Sequence, residues 1–121
     1  MAYLSPNILD NGLAYLVTNG TRLDICSVEP ATYAQVVTYS LGNKSGISIG
    51  APGNRTPTGR KVTVAAITNG AITATDTAGF YAITNGSNEL LVAKSLAASQ
   101  GVTSGNTFTL TAFDVGIPGP A

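Results

Sequence analysis

The sequence predicts a mainly β fold, a small antiparallel β-sandwich or jelly-roll-like domain with one short N-terminal α-helix at about residues 6–18. Three observations carry this. After Thr21 apolar and β-branched residues recur largely at a period of two, the period of a half-buried strand. Asn-Gly dipeptides and Gly/Pro/Ser clusters cut that pattern into short segments about 8–12 residues apart, as in sandwiches and barrels. Only ahead of Thr21 does a helical period appear.

The helix is read from its ends inward. Ser5 suits the N-cap, and Pro6 suits the first helical position, where a missing N–H costs nothing. Leu9, Leu13, Leu16 and Val17 follow at helical spacing, and Asn19-Gly20 offers a left-handed stop. Gly12 inside the helix costs about 1 kcal/mol relative to alanine. From Thr21 a strand begins, with Leu23, Ile25 and Ser27 on one face and Arg22, Asp24, Cys26 and Val28 on the other. Glu29-Pro30 ends it. Residues 31–41 are ambiguous: Val36, Val37 and Tyr39 favour a strand, whereas Ala31 to Gln35 suit a helical turn.

Residues 42–60 read as a long irregular loop, because five glycines and two prolines cannot sustain a regular element. The loop and the lysine after it hold Lys44, Arg55, Arg60 and Lys61, four of the six basic residues. A loop of this length in a small domain is usually functional or mobile. Beyond it, Lys61 to Ile67 is strand-like, Asn69-Gly70 signals a hairpin turn, and Ala71 to Thr75 continues on the far side. Phe80 to Thr84 leads into a turn at Asn85 to Asn88, and Glu89 to Lys94 returns. Thr107 to Val115 alternates as one further strand, followed by an extended tail at residues 116–121. Thr-Asn-Gly occurs three times, at 18–20, 68–70 and 84–86, with flanks that do not match; reuse of turn chemistry explains it better than duplication.

With 121 residues the chain has room for one domain, 1–121, with a short N-terminal arm at 1–5. Charged residues make up 10% of it, against about 25% in typical soluble domains. A surface so poor in charge rests on hydroxyls and amides, or is covered by a partner. Six basic and six acidic side chains cancel, which argues against a nucleic-acid partner and against a polybasic membrane anchor. The opening residues are not expected to form a secretory leader, and no apolar run approaches the ~20 residues of a membrane span. Synthesis and folding in a cytoplasm are therefore expected. The single cysteine, Cys26, cannot form an internal disulfide and reads as a small core hydrophobe.

Chemistry-bearing patterns are few. The chain has no histidine, so the commonest general base and metal ligand are missing, as are any Cys-His nucleophile pair and Cys/His zinc site. Lys44-Ser45 and Lys94-Ser95 are adjacent, but neighbours on a strand point to opposite faces. The carboxylates Asp10, Asp24, Glu29, Asp76, Glu89 and Asp114 show no paired spacing and read as surface groups. No calcium loop is present, and Gly53 to Gly59 fails the phosphate-loop pattern in length, in its arginine and in the strand that follows. The N-x-[ST] triplets at Asn19, Asn43, Asn54 and Asn85 reflect composition. Tyr3, Tyr15, Tyr33, Tyr39 and Tyr81 suit ordinary packing as well as an interface. No catalytic, cofactor-binding or metal-binding residue is assigned, and the expectation is a protein that is not an enzyme.

The stretches LDNGLAYLVTNGTRLDICSVEP (9–30), SLGNKSG (40–46), GRKVTVAAITNGAITATDTAGFYAIT (59–84) and ASQGVTSGNTFTLTAFDVGIP (98–118) resemble a group of small structural proteins of tailed bacteriophages and prophages. The resemblance spans most of the chain and rests on overall pattern; no catalytic motif carries over. It implies a virion component on the capsid exterior, with a decoration (cement) role. The implied partner is the major capsid protein, with contacts to further copies of the chain as trimers or as monomers around a capsomer. The expected capsid contacts are the arm (Tyr3, Leu4, Pro6), the basic loop (Lys44, Arg55, Arg60, Lys61) and the tail (Ile117, Pro118, Pro120). The competing expectations are a phage neck or tail component and a β-sandwich carbohydrate-binding module, which the absence of tryptophan weakens.

Overall fold

Pro6 opens helix α1 (Pro6–Asn19) in the computed structural model, which describes residues 6–56 and 59–117. Among its described side chains Leu13 and Leu16 are buried, one turn apart, and face the core. Strand β1 (Arg22–Cys26) follows, then helix α2 (Tyr33–Tyr39) and strands β2 (Ser40–Ser45), β3 (Gly53–Asn54), β4 (Arg60–Val64) and β5 (Ile67–Ile72). Strands β6 (Asp76–Thr84), β7 (Leu90–Val102), β8 (Thr107–Leu110) and β9 (Phe113–Ile117) complete the described residues.

The strands form two antiparallel sheets in a small β-sandwich-like arrangement, with the predicted N-terminal helix in place. One sheet has six strands in the order β7-β6-β1-β2-β5-β8; the other has three, in the order β3-β4-β9. β1 is central, with Leu23 opposite Lys44 on one side and Ile83 on the other. The main core joins α1 (Leu13, Leu16) and the small sheet (Val62, Val64) to the large sheet through Leu23, Ile25 and Ile83. On the reverse face Val36 of α2 covers Cys26 and Ala82 in a second, smaller cluster. β1 is thus buried on both faces, and each fully buried aliphatic side chain there contributes roughly 2 kcal/mol of transfer free energy.

Several sequence expectations need correction. Residues 42–60 are not all irregular: 42–45 belong to β2, which pairs with β1 and β5, and Gly53-Asn54 pairs with β4. Of the ambiguous residues 31–41, Ser40 and Leu41 open β2 and Tyr33–Tyr39 form helix α2. Thr32 is its N-cap and its hydroxyl accepts from Gln35 N (3.2 Å), while Gln35 Oε1 accepts from Ala31 N (2.7 Å). This is a variant of the capping box, and it overrides the strand preference of Val36 and Val37.

Asn69-Gly70 is not a hairpin turn. It lies within β5, where Asn69 takes φ 56° and the register against β8 slips between Ile67 and Gly70, a bulge. Residues 107–115 are not one strand either. The chain leaves the large sheet after Leu110 and enters the small one at Phe113. Gly116 and Ile117 are not tail but the end of β9, opposite Lys61 and Arg60.

Gly20 does end α1, but without a left-handed conformation. Its N–H donates to Leu16 O (2.7 Å), and a Cβ there would lie 3.0 Å from Ile49 Cδ1 and 3.1 Å from Ile83 Cγ2. Close packing, not backbone handedness, requires a glycine at that point. The turn at 85–88 is as expected: Asn85 Oδ1 accepts from the N–H groups of Ser87, Asn88 and Glu89 at 2.9–3.0 Å.

Candidate interaction surface

The small sheet collects three of the six basic side chains. Along β4, Val62 and Val64 turn inward, so Lys61 and Thr63 point outward. Both reach Asp114 across on β9: Lys61 Nζ lies 2.9 Å from Oδ2, and the Thr63 hydroxyl donates to Oδ1 at 2.7 Å. The hydroxyl first, and then the ammonium, hold the Asp114 carboxyl below its ordinary range. Arg60, the first residue of β4, donates from Nη1 to Asn54 Oδ1 of β3. Arg55 follows β3; its N–H donates to Gly59 O (3.0 Å) and its Cδ lies 2.8 Å from where a Cβ on Gly116 would stand. Arg55, Arg60 and Lys61 therefore converge on one sheet, with Asp114 as the carboxylate among them.

The last described residues of the chain lie in the same place. Ile117 is opposite Arg60 and packs against the main core, half-buried. Its Cδ1 lies 3.5 Å from where a Cβ on Gly12 of α1 would be, so the N-terminal helix and the C-terminal strand are neighbours. Of the residues expected to contact a capsid, Arg55, Arg60, Lys61 and Ile117 come together. Pro6 opens α1. Lys44 does not join them; it lies on β2, opposite Leu23 in the large sheet. Tyr3, Leu4, Pro118 and Pro120 lie outside the described residues.

One polar cluster escaped the sequence reading. Asp24, expected at the surface, is 1% exposed. Its Oδ1 receives Arg22 Nε at 2.9 Å, and its Oδ2 receives Arg22 Nη2 at 3.1 Å and the Ser40 hydroxyl at 2.7 Å. The signal was present: residues two apart on a strand share a face, so Arg22 and Asp24 had to be neighbours. The group borders a cavity of about 270 Å³ that Tyr33 and Asn43 also line. Both carboxylate oxygens are engaged by fixed donors, an arrangement suited to holding β1 and β2 in register. Cys26, beside it, is buried, and desolvation first, then the Asp24 charge, pushes its thiol up to about 12. Among the described residues no three His, Cys, Asp or Glu side chains gather as a metal site.

The chain was compared with protein-family models, with curated proteins and with solved structures, and none of the three comparisons found a match.

Proposed function

We propose that the protein is a structural component of a tailed-phage virion that binds the outer surface of the capsid as a decoration protein, with the major capsid protein as partner. One observation carries the reading beyond the sequence resemblance: three basic side chains and the end of β9 meet on a single small sheet beside the N-terminal helix. A cement protein needs a rigid body that presents several short contacts at once. When one copy touches two subunits, the second contact forms at high effective concentration and multiplies modest affinities. A surface poor in charge keeps the desolvation cost of docking low. The rigid body here is the shared core of the two sheets, and the contacts are the Arg55, Arg60 and Lys61 side chains of the small sheet with the end of β9 beside them.

Quantitative gel densitometry of purified particles against the major capsid protein tests this. A decoration protein is present in hundreds of copies per particle. A handful of copies points to a neck or tail position, and absence from particles ends the virion reading. A truncation must begin at Pro118, because Ile117 packs in the core. Removing 118–121, or residues 1–5, leaves a folded protein that no longer binds capsids; unchanged binding removes that end from the contact.

A further inference from the structure

β7 and β8 are consecutive strands joined only by Thr103–Asn106, yet they do not pair with each other. A connection this short ordinarily closes a hairpin. Here β7 pairs with β6 and β8 pairs with β5, so both edges of the six-stranded sheet diverge from the same turn. The divergence is built in: Gly105 N donates to Ile72 O (3.0 Å) and Ser104 N to Thr75 Oγ1 (3.0 Å), which tie the turn to the end of β5.

Between the two edges lies a groove of about 540 Å³. Tyr81 and Phe113 meet there with ring centroids 4.6 Å apart, and Leu96 and Leu110 line it from β7 and β8. Lys94 and Asp114 supply its charges. β9 also borders it and, like β7 and β8, pairs on one side only. Free strand edges carry unpaired main-chain donors and acceptors, a template for an added strand.

Two features choose the occupant. Asp114 is already matched by Lys61, whereas Lys94 forms no ion pair among the described residues, so the groove has a positive charge to complement. β7 is also broken by a bulge: its register against β6 jumps from Gln100 opposite Ala78 to Ser95 opposite Phe80. A bulged edge resists joining another flat sheet edge, which disfavours a second copy, while β8 remains open to a single strand.

We propose that this groove receives one extended segment of a partner protein, which adds a strand along β8, places an apolar side chain between Leu96 and Leu110 and sets a carboxylate against Lys94. The proposal stands on the groove and does not rest on the capsid reading; particle stoichiometry can fail while it holds, and the reverse. Titrating the isotope-labelled full chain with two acetylated, amidated peptides, TVTETV and TVTKTV, whose valines share a face with the charged residue, tests it by amide NMR. The expected result is saturable binding of TVTETV that shifts Lys94 to Leu96 and Thr107 to Leu110, about threefold tighter than TVTKTV, a margin set by one exposed charge pair. Lys94→Glu, at an exposed position, reverses that preference. Equal affinity for both peptides, an unaltered preference in Lys94→Glu, or shifts outside the groove overturn the proposal. So does concentration-dependent dimerisation of the free chain through the same amides, which would make a second copy the occupant.

Discussion

Phe108 of β8 lies over Gly70 of β5, with its ring carbons Cε1 and Cζ 2.3 Å from the point a Cβ on Gly70 would occupy. The ring fills the space a side chain would take, and the bulge at Asn69 brings the two backbones into that relation. Gly70→Ala is therefore expected to destabilise the fold by about 2 kcal/mol, because the buried ring has no free volume to move into. Urea unfolding checks this: the midpoint falls with an unchanged m-value, and an unshifted midpoint contradicts the packing.

Asp24→Ala leaves the Arg22 guanidinium without its bidentate partner and the Ser40 hydroxyl without its acceptor. A loss of about 2–3 kcal/mol is expected, below the full cost of an orphaned buried charge because Arg22 can rehydrate at its exposed side. Combined Arg22→Met and Asp24→Leu is expected to cost less than Asp24→Ala alone. Chemical denaturation of the three proteins decides it; a combined variant that loses as much as Asp24→Ala or more would mean that the pair does not act as a unit.

Cys26 is expected to resist thiol reagents in the native protein at pH 8 and to be modified only as fast as the chain unfolds. Its folded pKa stands raised to about 12 from an ordinary 9.0. Stability tied to the neutral thiol is thus present below pH 9 and declines between pH 9 and 12, as the unfolded chain ionises first. Cys26→Ala removes that alkaline decline. Labelling kinetics and melting temperature against pH read both effects, and prompt native labelling refutes them.

Asp114 works in the opposite direction. Thr63 and Lys61 depress its pKa below the ordinary 3.8, so its contribution is present above that value and is lost as pH falls through the lower folded value. Asp114→Asn is expected to make the fall in melting temperature below pH 4 shallower. Because the carboxylate is exposed, added salt reduces the difference.

The elements read correctly from the sequence are those whose signals are local. α1 announces itself by apolar spacing and Pro6, and the 85–88 turn by a side chain that caps its own following amides. The errors occurred where a local motif serves two structures. Asn-Gly supplies positive φ to a hairpin turn and to a bulge alike, and the choice at 69–70 belongs to Phe108, almost forty residues later in the chain. Alternation through 107–115 continues across a change of sheet, since both sheets bury alternate residues. Residues 31–41 stayed ambiguous because the β-branched pair Val36-Val37 pulled toward a strand; the Thr32/Gln35 cap, itself local, decides for the helix. At the candidate surface, the concentration of basic residues in 42–61 was visible. That Lys44 departs from the others follows from β2 pairing with β1, which no spacing within the loop reveals.

β1 draws its two partners from β2 and from β6, the latter more than fifty residues further along, and α1 packs beside a strand that ends at Ile117. Contacts between such distant parts of a chain must overcome loop-closure entropy before they return any stability, which slows folding. A chain still being synthesised can form α1 and the β1–β2 pair, but it cannot seal the interior of the domain until β9 has emerged. Closure of the core is therefore coupled to the appearance of β9, and a chain cut before it retains exposed apolar strands that invite aggregation.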